Sequence, residues 1–251
     1  MKFNIFGNIE NPKMILIHGV LTPWQIWTPQ IEFFRKNYYI IVPALDAHEE
    51  IISEFCSIEE EAQKIEQYYF SKFGKELVVI CGLSMGGVIA HHIWKSGKLN
   101  ISNLILDGAP LVPYGNFLKN IMVKNYFDIV HKSKLRDKKT LENFKKHFLP
   151  EKYLDDYLKF IDYMSDVSIE NIINSVSKSS LIIDDISLNS CVLYMHGTSV
   201  NEFLSKKSAK IIIKYYPNTT LMKYKGAHVN LLIHYPLEWN KRVDDFLNKR
   251  L

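Results

Sequence analysis

The chain has 251 residues, 47% apolar and 23% charged, with a net charge of +4. This describes one large α/β-sized domain, or one domain with an insertion, and excludes a disordered or fibrous chain. The small basic excess does not point to nucleic acid, and no apolar run reaches the ~20 residues a membrane-spanning helix needs.

The opening MKFNIFGNIENPK carries no apolar leader pattern. Residues 1–7 read as a short strand and 8–12 as a turn. Met14 to Ile17 is a buried strand ending at His18-Gly19. Thr22-Pro23 suggests an N-cap followed by proline at the first helical position, opening a helix with Trp27, Ile31 and Phe34 inward. Tyr38 to Val42 is the next strand, stopped by Pro43, and 44–55 is a loop. Ser57-Ile58-Glu59-Glu60 has the form of a capping box before a helix burying Ile58, Ala62, Ile65 and Tyr69. Cys56, Cys81 and Cys191 are far apart and read as core thiols of a protein in a reducing, cytoplasmic compartment.

Leu77 to Ile80 is a β-branched apolar run, as in a strand buried on both faces. Gly82-Leu83-Ser84-Met85-Gly86 follows, with Gly87 behind it and Val88, Ile89, His92 and Ile93 at helical spacing. Strand, glycine-flanked serine and helix make the G-x-S-x-G pattern of a nucleophile elbow. Glycines relieve the crowding around a serine on a strained turn. The helix N-terminus behind it favours a developing negative charge. Leu104 to Leu106 is a further strand, ending in Asp107-Gly108.

From Leu111 to about Asp185 the alternation stops, and the segment reads as aromatic-rich helices. It is basic over 111–150 and acidic over 151–185, which reads as solvated helix faces or as a basic rim for an acidic substrate. Alternation resumes with a strand at Val192 to Met195, a helix at Ser205 to Tyr216, a strand at Thr219 to Tyr224, the loop Gly226-Ala227-His228 and a last helix from Pro236. These alternating elements require a mostly parallel sheet covered by helices on both faces. The expected division is a core of residues 1–110 and 186–251 with a helical cap over 111–185.

A serine hydroxyl needs a base. Of nine histidines, His228 is best placed, on a glycine-flanked loop after a late strand and after the serine in chain order. His18 suits a turn better than a base, and His48 has no comparable setting.

Over nearly its whole length the pattern resembles the α/β-hydrolase superfamily, in its small bacterial carboxylesterase and lysophospholipase-like branch. His18-Gly19-Val20 looks like the oxyanion loop, Gly82–Gly86 like the elbow and Gly226–His228 like the catalytic-histidine loop. The resemblance implies an α/β-hydrolase fold with a cap, and backbone N–H groups of Val20 and Met85 as the oxyanion hole. The third member departs from the family. Val200 stands where that family usually has an acid, leaving Glu202, favoured, and Asp107 as candidates. Trp24 and Trp27, beside the oxyanion loop, are candidates to close an apolar substrate pocket.

These readings converge on a serine hydrolase of a small ester or thioester, with Ser84, His228 and Glu202 as its catalytic residues. Acyl transfer, a lyase step on the same fold, and a ligand-binding module with a degraded triad remain the alternatives. No cofactor and no metal are implied, and no nucleic-acid partner.

Overall fold

The computed structural model describes residues 1–181 and 190–248. Within them one sheet contains β1 (Lys2–Phe6), β2 (Lys13–Ile17), β3 (Tyr39–Ala44), β4 (Glu76–Leu83), β5 (Asn100–Asp107), β6 (Cys191–Gly197) and β7 (Thr220–Tyr224). Their spatial order is β1-β3-β2-β4-β5-β6-β7. Only β1 is antiparallel to its neighbour. The middle strands are buried runs, Met14–Ile17 in β2 and Val79–Leu83 in β4, as a sheet covered on both faces demands.

The helices are α1 (Thr28–Phe34), α2 (Ile58–Phe73), α3 (Met85–Ser96), α4 (Asn116–Lys134), α5 (Lys138–His147), α6 (Leu154–Ile161), α7 (Asp166–Lys178), α8 (Phe203–Tyr215) and α9 (Pro236–Asn248). After β2 the chain steps outward to β3, then returns to the other side of β2 for β4. The crevice beyond the carboxyl ends of β2 and β4 is therefore a topological switch point, where open α/β sheets bind ligands. Register brings the strand ends level there: Ile17 pairs with Gly82, Leu83 with Asp107, Asp107 with Met195 and Gly197 with Tyr224.

Four local expectations are corrected. The first helix does not start at Thr22-Pro23. A 3₁₀ turn spans Trp24–Trp27, and α1 begins at Thr28 with Pro29 in its first turn. A helix begun at Pro23 would carry Pro29 in its second turn, where its missing N–H and its ring break the ladder. Thr22 donates its hydroxyl to the Gly19 carbonyl at 2.8 Å instead of capping. Nor does Pro43 stop β3. It lies opposite Phe3 of the edge strand β1, beyond Tyr39–Ile41 where β3 pairs with β2, so no ladder bond to β2 calls for its N–H. At α2, Ser57 Oγ accepts the Glu60 N–H at 3.1 Å as expected, but the Glu60 carboxylate turns to Lys64 at 2.7 Å, so half of the capping box forms. Cys81 is buried in β4, whereas Cys56 is exposed before α2 and is no core thiol.

Helices α4–α7 form the inserted region between β5 and β6. Its visible ends are tied together: Leu181 N–H donates to the Leu111 carbonyl at 3.0 Å, and Tyr114 N–H to the Ser177 carbonyl at 3.1 Å. The expected end of the insertion at 185/186, like the C-terminal limit of the core at 251, falls outside the described residues. Much of its aromatic content forms a small core. Phe144 stacks on Tyr157 at 4.4 Å, Phe160 meets Tyr157 edge-on at 5.5 Å, and the Tyr157 hydroxyl donates to Ser133 Oγ at 2.9 Å. Among the described residues no helix is long and apolar enough to cross a membrane.

Candidate active site

Ser84 sits between β4 and α3 with φ 52 and ψ −116. Such a backbone is sterically costly for a residue with a Cβ and persists only where its surroundings impose it. Here they do. A Cβ on Gly82 would lie 2.2 Å from the Gly86 carbonyl oxygen, and one on Gly86 2.3 Å from the carbonyl oxygen of Ile17. The start of α3 is thereby pressed against the end of β2. Ser84 N–H donates to the Asp107 carbonyl at 2.8 Å, while its own carbonyl accepts the N–H groups of Gly87 and Val88 at 2.9 and 3.2 Å. Met85 is the first residue of α3, a position whose N–H has no intrahelical acceptor.

His228 comes from the loop after β7. Gly226 takes φ +96 there, with its carbonyl accepting Ser199 N–H at 3.0 Å. The His228 side chain lies on Gly108, where an added Cβ would be 2.4 Å from His228 Cβ. Gly108 follows Asp107, whose carbonyl holds Ser84, so Ser84 and His228 both abut the carboxyl end of β5. Glu202 Oε1 accepts from His228 Nδ1 at 2.7 Å and from the His228 backbone N–H at 3.0 Å. That fixes the proton on Nδ1 and leaves Nε2 with its lone pair. Among the described residues no hydrogen bond joins Ser84 Oγ to the His228 ring.

The inward aim of Glu202 has a geometric cause. Residues Val200–Glu202 form a 3₁₀ turn leading into α8. Successive residues of such a turn rotate by about 120°. Val200 is 92% exposed while Glu202, two residues on, is 2% exposed and aims at His228. Asp107 is wholly buried with both oxygens engaged elsewhere: Oδ2 accepts Trp239 Nε1–H at 2.8 Å and Oδ1 accepts from the Tyr224 hydroxyl. That hydroxyl is also 2.9 Å from the His228 carbonyl oxygen.

No protein-family model and no curated protein sequence matches the chain. Solved structures do. A protein from Desulfitobacterium hafniense, described as of the α/β-hydrolase family, is 18% identical, with a TM-score of 0.76 over 98% of this chain and 100% of that one. A thermophilic esterase from Thermogutta terrifontis is 15% identical, with a TM-score of 0.74 over 99% and 93% of the two chains. An enol-lactonase from Burkholderia xenovorans is 14% identical, with a TM-score of 0.73 over 98% and 95%. The chain has the α/β-hydrolase fold.

On this α/β-hydrolase scaffold burial and neighbouring charges act against each other at the site. Burial pulls the His228 pKa down, but the hydrogen bond and charge of Glu202, with the charge of Asp107, outweigh it and raise the pKa above 6.5. Burial pushes Glu202 up, yet its bonds to His228 prevail and hold it below the usual 4.5. In Asp107 burial wins over the Tyr224 and Trp239 hydrogen bonds and lifts the pKa from 3.8 to about 6. Tyr224 has one proton and two acceptors. When Asp107 is protonated it can donate to Tyr224, which then serves the His228 carbonyl, and every group is satisfied.

Across the crevice, a Cβ on Gly19 would be 3.4 Å from Ser84 Cβ, so the loop carrying Val20 lies against Ser84. His18 and His48 are buried beside it. Trp27 is no pocket wall: it is wholly buried and packs edge-on to Trp239 at 5.7 Å. Trp24 is half-buried, leans on Phe6 at 6.0 Å, and borders a small cleft with His48 and Phe160. A larger cavity of about 780 Å³ lies between α4 and α5, with Leu21, Tyr126, Ile129, Phe144 and Phe148 among its walls together with Asp128, Lys132, Asp137, Lys139, Thr140, Asn143 and His147. No group of three or more His, Cys, Asp or Glu side chains among the described residues could hold a metal ion. The sequence named His18, His48 and Asp107 but not their partners Leu45, Leu21, Tyr224 and Trp239, since no local pattern pairs residues so far apart along the chain.

Proposed function

We propose that the protein hydrolyses a carboxylic ester or thioester through an acyl-enzyme. The observation that carries this is the Glu202–His228 hydrogen bond at 2.7 Å beside the strained elbow of Ser84. In this reading Ser84 Oγ attacks the substrate carbonyl and His228 Nε2 takes its proton. The tetrahedral oxyanion is met by the N–H groups of Val20 and Met85, at the positive end of α3. The alcohol or thiol leaves with the proton from His228. Water then attacks the acyl carbon, with His228 again as base, and releases the acid and Ser84. Glu202, buried and kept ionised by His228, stabilises the imidazolium formed in each step.

In this reading the cavity between α4 and α5, with Leu21, Ile129, Phe144 and Phe148 beside Asp128, Lys132, Lys139 and His147, takes a substrate group that is partly apolar and partly polar. The inserted helices act as the cap of this reading. The test is labelling with a fluorophosphonate and hydrolysis of p-nitrophenyl esters of graded chain length. Wild type should label once and turn over, and Ser84→Ala should do neither while keeping its melting temperature. Turnover by folded Ser84→Ala would reject the assignment.

A further inference from the structure

We infer that His48 is a positioning residue for the oxyanion loop, holding the Leu21 N–H on its Nε2 and joining that loop to the inserted helices. The inference rests on the proposed role of the Val20 N–H. It begins with two loops, residues 18–21 after β2 and 45–48 after β3, which clamp each other reciprocally. His18 Nε2 accepts the Leu45 N–H at 3.1 Å, and His48 Nε2 accepts the Leu21 N–H at 3.3 Å. Each ring's Nδ1–H is spent on a nearby carbonyl, Gly19 for His18 and Asp46 for His48, both at 3.0 Å. Both imidazoles are therefore Nδ1–H tautomers with an Nε2 lone pair, which is what an incoming N–H needs. Burial supports the neutral form, lowering the pKa of His18 to about 3 and of His48 to about 4. The two rings meet edge-on at 5.0 Å.

The backbone tells which part of the clamp is under load. Leu21 has φ 53 and Ala47 φ 61, two of the non-glycine residues in left-handed conformation, alongside Ser84 itself. A leucine does not rest there unaided. Its N–H is held by His48, and Ala47 is held by its N–H to Ser53 Oγ at 3.1 Å. Fixing Leu21 fixes the direction of the preceding residue Val20, whose N–H must point at the oxyanion. The His48 ring also meets Phe160 of α6 at 5.2 Å, tilted by 38°. Phe160 packs on Tyr157, and Tyr157 on Phe144, which with Leu21 is among the walls of the cavity between α4 and α5. His48 thus links Phe160 of the inserted helices to the Leu21 N–H of the loop.

Two variants separate the acceptor from the ring. His48→Phe keeps the ring volume and the Phe160 contact but has no acceptor, whereas His48→Gln keeps an acceptor. In His48→Phe, hydrogen exchange at the Leu21 amide should speed up at least about tenfold. Ester kcat and the rate of phosphonate labelling should fall about tenfold to a hundredfold at unchanged KM, short of the loss of a whole oxyanion donor. His48→Gln should stay within about threefold of wild type in these readouts, as a retained acceptor requires. Unchanged Leu21 exchange in His48→Phe, or equal losses in the two variants, overturns the inference. Nitrogen chemical shifts of the wild-type His48 ring test it without any variant, and a ring protonated on Nε2 rejects it. A wild type that neither labels nor turns over, yet shows the Leu21 response, sinks the proposed hydrolysis and leaves the clamp. A wild type that labels, with Leu21 exchange unmoved in His48→Phe, does the reverse.

Discussion

Histidines approach the Ser84 crevice from two sides, and the two sides treat the same side chain in opposite ways. On the β7 side His228 faces a carboxylate, is 24% exposed at its side chain, and has its pKa raised. On the β2–β3 side the hydrogen bonds of His18 and His48 go to backbone N–H and carbonyl groups, the two rings are buried, and their pKa values are lowered. Burial acts the same way on all three. What differs is whether a negative charge stands within hydrogen-bond reach. A histidine meant to take and return a proton needs that partner, while one meant to hold a backbone still is better without it.

The comparison breaks most severely at His228. His228→Ala should lower kcat by about 10⁴ or more in ester hydrolysis, since members of such a set act as a unit. A loss below tenfold would mean that His228 is no different in kind from the other two.

Glu202→Gln sharpens the contrast by making the surroundings of His228 resemble those of His48. It should cost about 10² to 10⁴ in kcat with little change in KM. With His228 as the proposed base, its raised pKa should set the acid limb of wild-type kcat/KM above the ordinary histidine value, because the base acts when neutral and the rate falls as pH drops through its pKa. Without the Glu202 charge, burial dominates and the limb should move to lower pH. A limb that stays in place would show that Glu202 does not set this pKa.

Asp107 offers a milder test, because its carboxylate is within the field of His228 but not bonded to its ring. Asp107→Asn can reproduce the protonated acid, accepting from Trp239 and donating to Tyr224, so kcat should stay within about tenfold of wild type. The linkage has a definite sign. A pKa raised from 3.8 to about 6 in the fold gives stability that is full below about 4 and lost as pH rises through about 6. The melting temperature of wild type relative to Asp107→Asn should therefore fall over that window, and a flat difference would reject the assigned shift.

The smallest effect is expected at Val200. Val200→Asp restores an acid at the customary place in sequence, but the 3₁₀ turn leaves that place 92% exposed. Stability should change by less than about 0.5 kcal/mol. In the Glu202→Gln background Val200→Asp should recover no kcat, and recovery would mean that the loop can re-register.

The sequence alone carried the alternating elements, the sheet with its helical insertion, the elbow at Ser84 and the prominence of His228. These are local: a buried β-branched run, glycines where a Cβ cannot fit, and an N-terminal helix turn are each written within a few neighbouring residues. Pro29 and Pro43 were legible too, but what each does depends on its surroundings. Pro29 delays α1, whereas Pro43 is tolerated because β3 no longer pairs with β2 there. Only the tertiary structure shows that Glu202 bonds the His228 ring while Asp107 bonds Tyr224 and Trp239. Sequence distance says nothing about which carboxylate a one-turn 3₁₀ segment rotates inward, or which one Trp239 and Tyr224 already occupy. It also took Trp27 out of the pocket by packing it on Trp239 from the far end of the chain. The mutual grip of His18 on Leu45 and of His48 on Leu21 joins residues 27 apart. Such a bond exists only after the parallel pairing of β2 and β3 has set the two loops side by side, and hydrogen bonding between loops leaves no periodic trace in the residues that make it.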